Sequence, residues 1–415
     1  MSEVGPVAAV DRLRGAGFLV TGGSARILAL LNGGGEEARV AGGAVRNALM
    51  GLPVTEVDIA TTAVPDEVIR RAGAANIKSV PTGIEHGTVT LVVDGRPCEV
   101  TTLREDVETF GRKARVVFGR DWVRDAERRD FTINALSASM DGTVYDYTGG
   151  LADIAKRRIR FIGDAAQRIA EDYLRILRFF RMHAAYGEGT LDRDGLNACI
   201  AGRAGLDNLS AERIRSEMLK LLLAPRASAA VQVMGDAGLL LQLLGSVTYH
   251  AALETLIEAE RLLGLEADAI RRLAALAVAT VEDAERLMQR LRLSKAEGAR
   301  LDSMAYRWWR LNQLDDAQAR VRLYKLGSDR YRDRVMLGWA RSGDDADYWQ
   351  RIATLSARWN APVFPLKAAD FMAKGVQAGP ALGAALARAE QLWIDAGFPS
   401  DQGKVAAIAS DAMKD

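Results

Sequence analysis

The sequence predicts an α+β protein in which a head with a small mixed sheet precedes an all-helical neck, body and tail. Three observations carry that expectation. Short β-patterned runs and tight-turn dipeptides are confined to about the first 150 residues. After Thr148 the apolar residues recur at helical spacing, punctuated by glycines and by Pro362 and Pro365. The length, 415 residues, exceeds one ordinary domain, so two to four compact units are expected. The pattern divides into a head over 22–150, a helical neck over 151–226 and a helical body and tail over 227–415.

Within the head, residues 37–41 read as a strand running into Gly42, Gly43 and a helix. A second short strand follows at 57–60. Residues 86–93 and 97–103 read as a hairpin closed by Asp94 and Gly95, a dipeptide that tolerates the positive φ angles of a two-residue turn. A second Asp-Gly pair, Asp141 and Gly142, separates strands at 136–140 and 143–147. Residues 104–121 are polar and glycine-punctuated with little apolar periodicity, which predicts a mobile loop. Residues 164–185 predict one helix, ending near Gly187 and Gly189, and 210–223 an amphipathic helix with Ser210 as N-cap.

Composition narrows the function. Hydrophobic residues make up 49% of the chain, enough to bury a core, yet no run of 18 apolar residues predicts a membrane span. Cys98 and Cys199 are too far apart in sequence for a disulfide framework or a zinc site, and a cytoplasmic location is expected. His86, His183 and His250 are scattered, which argues against a histidine metal site. Trp308 and Trp309 lie in a helical pattern and read as packing residues. Net charge is only +1, but arginines crowd at 112–129, 156–181 and 203–226.

Four segments can carry chemistry. In the first, a strand runs into Gly42 and Gly43 and then a helix holding Arg46. Glycines let backbone approach a phosphate and a helix start presents free N–H groups, although a glycine pair at a strand end is also an ordinary turn. In the second, Glu56 and Asp58 are two apart, which on a strand puts both carboxylates on one face. Such a pair repels itself unless a cation sits between; oxygen ligands suit magnesium, and two ions would activate a hydroxyl and stabilise a leaving pyrophosphate. Glu99 lies in a strand pattern and could complete a three-carboxylate site. The third segment is Arg128 and Arg129 followed by Asp130, Phe131 and a turn containing Asn134, a candidate triphosphate clamp. The fourth, around Asp172, spaces Arg175, Arg178 and Arg181 three residues apart; Asp172 and Arg175 would share a cleft or form a simple ion pair.

These pieces, in this order, resemble the class II tRNA nucleotidyltransferases, the CCA-adding enzymes, and their poly(A) polymerase relatives. The stretches that carry the resemblance are AGGAVRNALMG, EVDIATTAVP, TGIEHGTVTLVVDGRPCEVTTLRED, RRDFTINALS, YDYTGGLADI and RIAEDYLRILRFFR, with LSAERIRSEMLKLL as a later neck motif; together they span roughly residues 36–225. The resemblance implies a nucleotidyltransferase head that adds CCA to the tRNA 3′ end from CTP and ATP with two Mg2+ ions. It implies that Glu56 and Asp58 hold metal, that Gly42, Gly43, Arg46, Arg129 and Asn134 serve the nucleotide, that Asp172 and Arg175 read its base, and that Arg178 and Arg181 support nucleotide or RNA. Residues 104–121 would adapt the site between CTP and ATP. Two positions depart from the family pattern: Glu56 stands where Asp is usual, and Asn47 follows Arg46 where Asp is usual.

Competing readings are a poly(A) polymerase, a partial CC- or A-adding enzyme, and a non-catalytic RNA-binding paralogue. The segment from Thr82 to Thr88 resembles the CCA-adding form, and the C-terminal residues are not basic. A dinucleotide enzyme is suggested only by Gly22 and Gly23 before a helical run, without the fuller glycine fingerprint.

Overall fold

The computed structural model describes residues 13–110, 113–342 and 345–414, with backbone alone for 105–110 and 113–116. The chain forms two compact units, Met1–Leu243 and Leu244–Asp415. The ranges expected for head and neck both fall in the first.

The first unit is built on a seven-stranded sheet of order β3-β4-β5-β2-β1-β8-β9. Its strands are β1 (Ala38–Ala41), β2 (Asp58–Thr61), β3 (Lys78–Gly83), β4 (Thr88–Val93), β5 (Arg96–Thr102), β8 (Ser137–Ala138) and β9 (Val144–Tyr145). All pairs are antiparallel except β2 with β5, so the sheet is mixed. The β4–β5 hairpin turns where expected: Asp94 and Gly95 have φ of 51° and 75°, the left-handed pair a two-residue turn requires. Helices Gly22–Leu31 and Pro65–Ala74 bury Leu28, Leu31 and Val68 against Val40, Ile59, Leu91 and Val100 of the sheet. Pro65 begins the second of these helices, with Asp66 and Glu67 favourably placed in its first turn.

Residues 104–121 are not a loop. They form a separate two-stranded ribbon, β6 (Arg104–Phe110) with β7 (Lys113–Phe118), followed by the helix Trp122–Glu127. A strand ladder satisfies the backbone of a charged segment without needing an apolar face, so the missing periodicity misled the reading. The ribbon closes on the head through the Gly119 N–H, which donates to the Leu103 carbonyl at 2.8 Å.

The helix expected over 164–185 is two helices, Ala165–Glu171 and Leu174–Tyr186. Asp172 between them is extended, at φ −156° and ψ 106°. Its carboxylate accepts from the Leu174 N–H at 3.1 Å, an Asx contact that restarts the helix. Phe131 and Phe161 stack beside Phe179 of the second helix, with centroids 4.9 and 5.3 Å apart in succession, and lock it to the head. Helix Ala211–Leu222 follows; Ser210 occupies its N-cap position without making a side-chain cap bond.

The second unit is helical. Phe371, Trp393 and Ile408 lie in one of its cores, and a buried ion network joins Arg271 to Glu260 and Asp333. No described helix of either unit is long and apolar enough to cross a membrane.

Candidate active site

The sheet brings its chemistry to one edge. In the β1–β2 pairing Ala41 lies opposite Asp58, so the chain leaves β1 through Gly42 beside that carboxylate. In the parallel β2–β5 pairing Ile59 lies opposite Val100, and one step back along both strands sets Asp58 beside Glu99. Glu56 lies on the coil just before β2, not on the strand. Asp58 is exposed at its tip, yet protein crowds it. Loss of water, then the negative charges of Glu99 and Glu56, raise its proton affinity, against the pull of Arg129. Burial, then Asp58 and Glu99, likewise push the Cys98 thiol up to about 12. The field at this edge is thus strongly negative. Among the described residues no three Asp, Glu, His or Cys side chains gather into a cluster able to hold an ion alone. Magnesium commonly takes one or two carboxylates and completes its shell with water and substrate phosphates, so an open acidic edge of hard oxygens fits it.

Gly42 has φ 74° and ψ −122°, a conformation closed to side-chain-bearing residues, and its N–H donates to the Leu136 carbonyl at 2.9 Å. A Cβ here would stand 3.3 Å from Nη1 of Arg129. Arg129 therefore lies against the turn while its charge acts on Asp58. The guanidinium is steadied by Asp125, whose Oδ2 accepts from Arg129 Nη2 at 3.2 Å while Oδ1 accepts from Arg128 Nε at 2.8 Å. Burial pushes Asp125 up, but Arg129 and Arg128 outweigh it and hold the carboxyl below its usual range. Sequence reading missed Asp125; its place one helical turn before the two arginines was the available signal.

Arg46 lies under the same turn, 3.6 Å from where a Cβ on Gly43 would be, but it is buried and committed to protein partners. It donates to Asn134 Oδ1 at 2.5 Å, to Asn47 Oδ1 through Nε and Nη2 at 3.1 and 2.8 Å, and to the Tyr186 hydroxyl at 2.8 Å, and stacks on that ring at 3.9 Å. Asn47 thus retains a structural contact where a carboxylate was expected, and its amide also donates to the Pro53 carbonyl at 3.0 Å. Asn134 passes the network on, donating to Asp130 Oδ1 at 3.1 Å. Asp130 Oδ2 accepts from Arg178 Nε at 2.7 Å, and Arg181 pairs with buried Glu217. Arg46, Asn134, Arg178 and Arg181, linked through Asp130 and Glu217, therefore form a largely buried polar chain behind the glycine turn.

Asp172 and Arg175 hold different partners. Both oxygens of Asp172 accept from Arg213 of the Ala211–Leu222 helix, at 3.1 and 2.7 Å. Arg175 pairs with Glu171 and donates to the Arg168 carbonyl at 2.7 Å. Arg213, 41 residues from Asp172, carried no local signal of this pairing.

A mixed sheet with an acidic edge, a glycine turn and an arginine facing both define a nucleotidyltransferase head. Comparison with known proteins agrees: residues 38–160 match the poly A polymerase head domain, and 190–249 match a probable RNA and SrmB-binding site of polymerase A. The mitochondrial CCA tRNA nucleotidyltransferase 1 of Mus musculus is 34% identical over 370 residues, covering 87% of this chain and 84% of the relative. A CCA-adding enzyme of Geobacillus thermodenitrificans is 42% identical over 215 residues, covering 51% of this chain and 52% of the relative. The crystal structure of the Bacillus stearothermophilus CCA-adding enzyme in complex with CTP superposes with a TM-score of 0.71 at 25% identity, covering 93% of this chain and 96% of that one. The chain belongs to the CCA tRNA nucleotidyltransferase family.

Proposed function

We propose that this protein adds C, C and A to the 3′ end of tRNA from CTP and ATP without a nucleic-acid template. What supports the reading is the position of Asp58, under the charges of Glu99 and Glu56, beside the Gly42 turn and Arg129. The terminal hydroxyl oxygen of the RNA gives up its proton to solvent and forms a bond to the α-phosphorus, the α–β anhydride bond breaks, and pyrophosphate leaves. Glu56 and Asp58 would hold Mg2+, with Glu99 adding to the negative field; when bound, the metal supplies Lewis-acid stabilisation of the phosphoryl oxygens. Arg129 binds the triphosphate against the turn at Gly42 and Gly43, where no side chain keeps the phosphates away. The polar chain of Arg46, Asn134, Arg178 and Arg181 holds that turn and the neck helix in register, a supporting part in nucleotide binding.

Base choice is assigned to Asp172 and Arg175. Cytosine and adenine each present an amino donor beside a ring-nitrogen acceptor; an aspartate accepts from the first and an arginine donates to the second. Guanine and uracil present the reverse and would leave both side chains facing like partners. Asp172 can still read a base while paired with Arg213, because each carboxylate oxygen has two lone pairs. The helical body and tail, 227–415, would hold the RNA. The Mus musculus relative is named as a mitochondrial protein, which lends no support to the cytoplasmic location expected from composition.

The test is incubation with tRNA lacking its last three nucleotides, plus CTP, ATP and magnesium, followed by sequencing of the product. A C-C-A end supports the reading. Long adenylate tails on unrelated RNA would assign a poly(A) polymerase, and no pyrophosphate release a non-catalytic RNA binder.

A further inference from the structure

Arg39 is a buried cation that the proposed chemistry leaves unused. It lies on β1, 6% exposed, two residues before Ala41 and so on the same face of the strand. Two rings flank its guanidinium, with centroids 4.0 Å away for Trp122 and 3.5 Å for Tyr145 of β9. Nε donates to Glu37 Oε1 at 2.6 Å, and Nη1 donates to the Tyr147 hydroxyl at 3.0 Å. Glu37 closes the cluster, its Oε2 accepting from the Trp122 indole N–H at 2.9 Å. The indole packs against Ala41, Ala60 and Leu103, and the two alanines leave room for it. Trp122 is thus held by charge as well as by packing. Trp309, expected to be packed, is instead 52% exposed, edge-on to Trp308.

Trp122 opens the helix Trp122–Glu127, six residues long and too short to hold its place by its own backbone bonds. Two contacts seat it. One is Trp122 itself. The other is Ala126, which packs with Ala135 and Ile162, where the Tyr147 ring joins them. Arg39 reaches both contacts, stacking on Trp122 and bonding to Tyr147. Asp125 follows Trp122 by three residues and so shares its side of the helix, and it is the carboxylate that steadies Arg129. A flat guanidinium fills the space between two rings and still presents N–H groups in its own plane; an ammonium or an alkyl chain does only part of that. We infer that Arg39 is a positioning residue for nucleotidyl transfer: through Trp122 and Tyr147 it sets the tilt of the helix Trp122–Glu127, and through Asp125 the aim of Arg129 at the triphosphate. The inference rests on the role proposed above for Arg129 and names what holds that arginine in line.

The test uses the full chain with Arg39→Met, Arg39→Lys and Tyr147→Phe, the last removing a single hydroxyl. Calorimetry reads the binding of inorganic triphosphate with magnesium, and kinetics read the KM for CTP and for tRNA lacking its CCA end. A misaimed clamp loses hold of phosphates alone. Arg39→Met should therefore weaken triphosphate binding and raise the KM for CTP together, on the order of tenfold, while the KM for tRNA holds. Arg39→Lys, which keeps the charge, and Tyr147→Phe should lose less in the same two quantities. Once Asp125→Asn has cut the link to Arg129, Tyr147→Phe should add no further loss. Triphosphate binding unchanged in both Arg39→Met and Tyr147→Phe would overturn the inference. So would losses shared equally by CTP and tRNA, which mark a general structural role, or losses that simply add to that of Asp125→Asn. Should the unsubstituted protein extend no RNA, the proposed function falls, while triphosphate binding still decides the inference.

Discussion

Replacing Asp130 with asparagine tests the polar chain behind the active site. Asp130 is buried and fully used: Oδ1 accepts from the Phe131 N–H at 2.8 Å and from Asn134 at 3.1 Å, and Oδ2 accepts from Arg178. Burial pushes this carboxyl up, but the Arg178 charge and the three hydrogen-bonded partners outweigh it and hold it below the usual range. Asp130→Asn keeps the shape, removes the charge and turns an amide toward Arg178. Breaking a buried pair costs roughly 3–5 kcal/mol. Arg178 is one-third exposed and keeps Glu217 at 3.9 Å, which argues for the lower end, about 3 kcal/mol. For a unit of this size that is a Tm lower by roughly 6–12 °C. A folded-state pKa below the unfolded one gives stability that is present above the unfolded pKa, about 4, and lost as pH falls through the folded value. The Tm gap between the two proteins, read by thermal unfolding from pH 8 to pH 3, should therefore be full at neutral pH and close in acid. A gap under about 2 °C at pH 7, or one that widens in acid, would refute the reasoning.

Asp58→Ala should abolish nucleotide addition with Tm unchanged, whereas Glu56→Asp should retain activity; near-normal turnover by Asp58→Ala would place the metal elsewhere. Asp172→Ala with Arg175→Ala should slow CTP and ATP use and relax rejection of GTP and UTP, since each unpaired polar group in a closed site costs about 1–3 kcal/mol. Arg213→Ala alone, freeing Asp172 to swing, should weaken the same discrimination; selectivity unchanged in both would move base reading to another site. Shortening the β6–β7 ribbon should reduce A addition more than C addition in single-nucleotide assays, and equal loss would indicate a general role in folding.

How far the sequence could be read depended on whether the forces were local. The β4–β5 hairpin was legible because Asp94 and Gly95 meet a backbone requirement within two residues. Asp58 and Gly42 were legible because their chemistry is local to a strand and its exit. The ribbon was not, because its ladder rests on backbone pairing between charged strands. Nor was the break at Asp172, an aspartate held by Arg213 from another helix. The least legible feature was the commitment of Arg46: its partners Asn134 and Tyr186 lie 88 and 140 residues away, and a sequence reading could only aim that charge at the phosphates.

If the proposed roles hold, the same commitment makes the two ends of a nucleotide interdependent. Arg46 ties the glycine turn to Tyr186 at the end of the helix Leu174–Tyr186, and Asp130 ties the turn's neighbour Asn134 to Arg178 midway along it. On the roles proposed above, base and triphosphate would be gripped by parts joined through these hydrogen bonds, so that seating one half would order the other. Cytidine and inorganic triphosphate, offered separately, should each bind feebly and each should tighten the other, a cooperativity measurable by calorimetry with no covalent link between them. An enzyme so built would test the identity of a base and the presence of its energy source as a single event, and a nucleoside lacking its phosphates should gain little hold on the site.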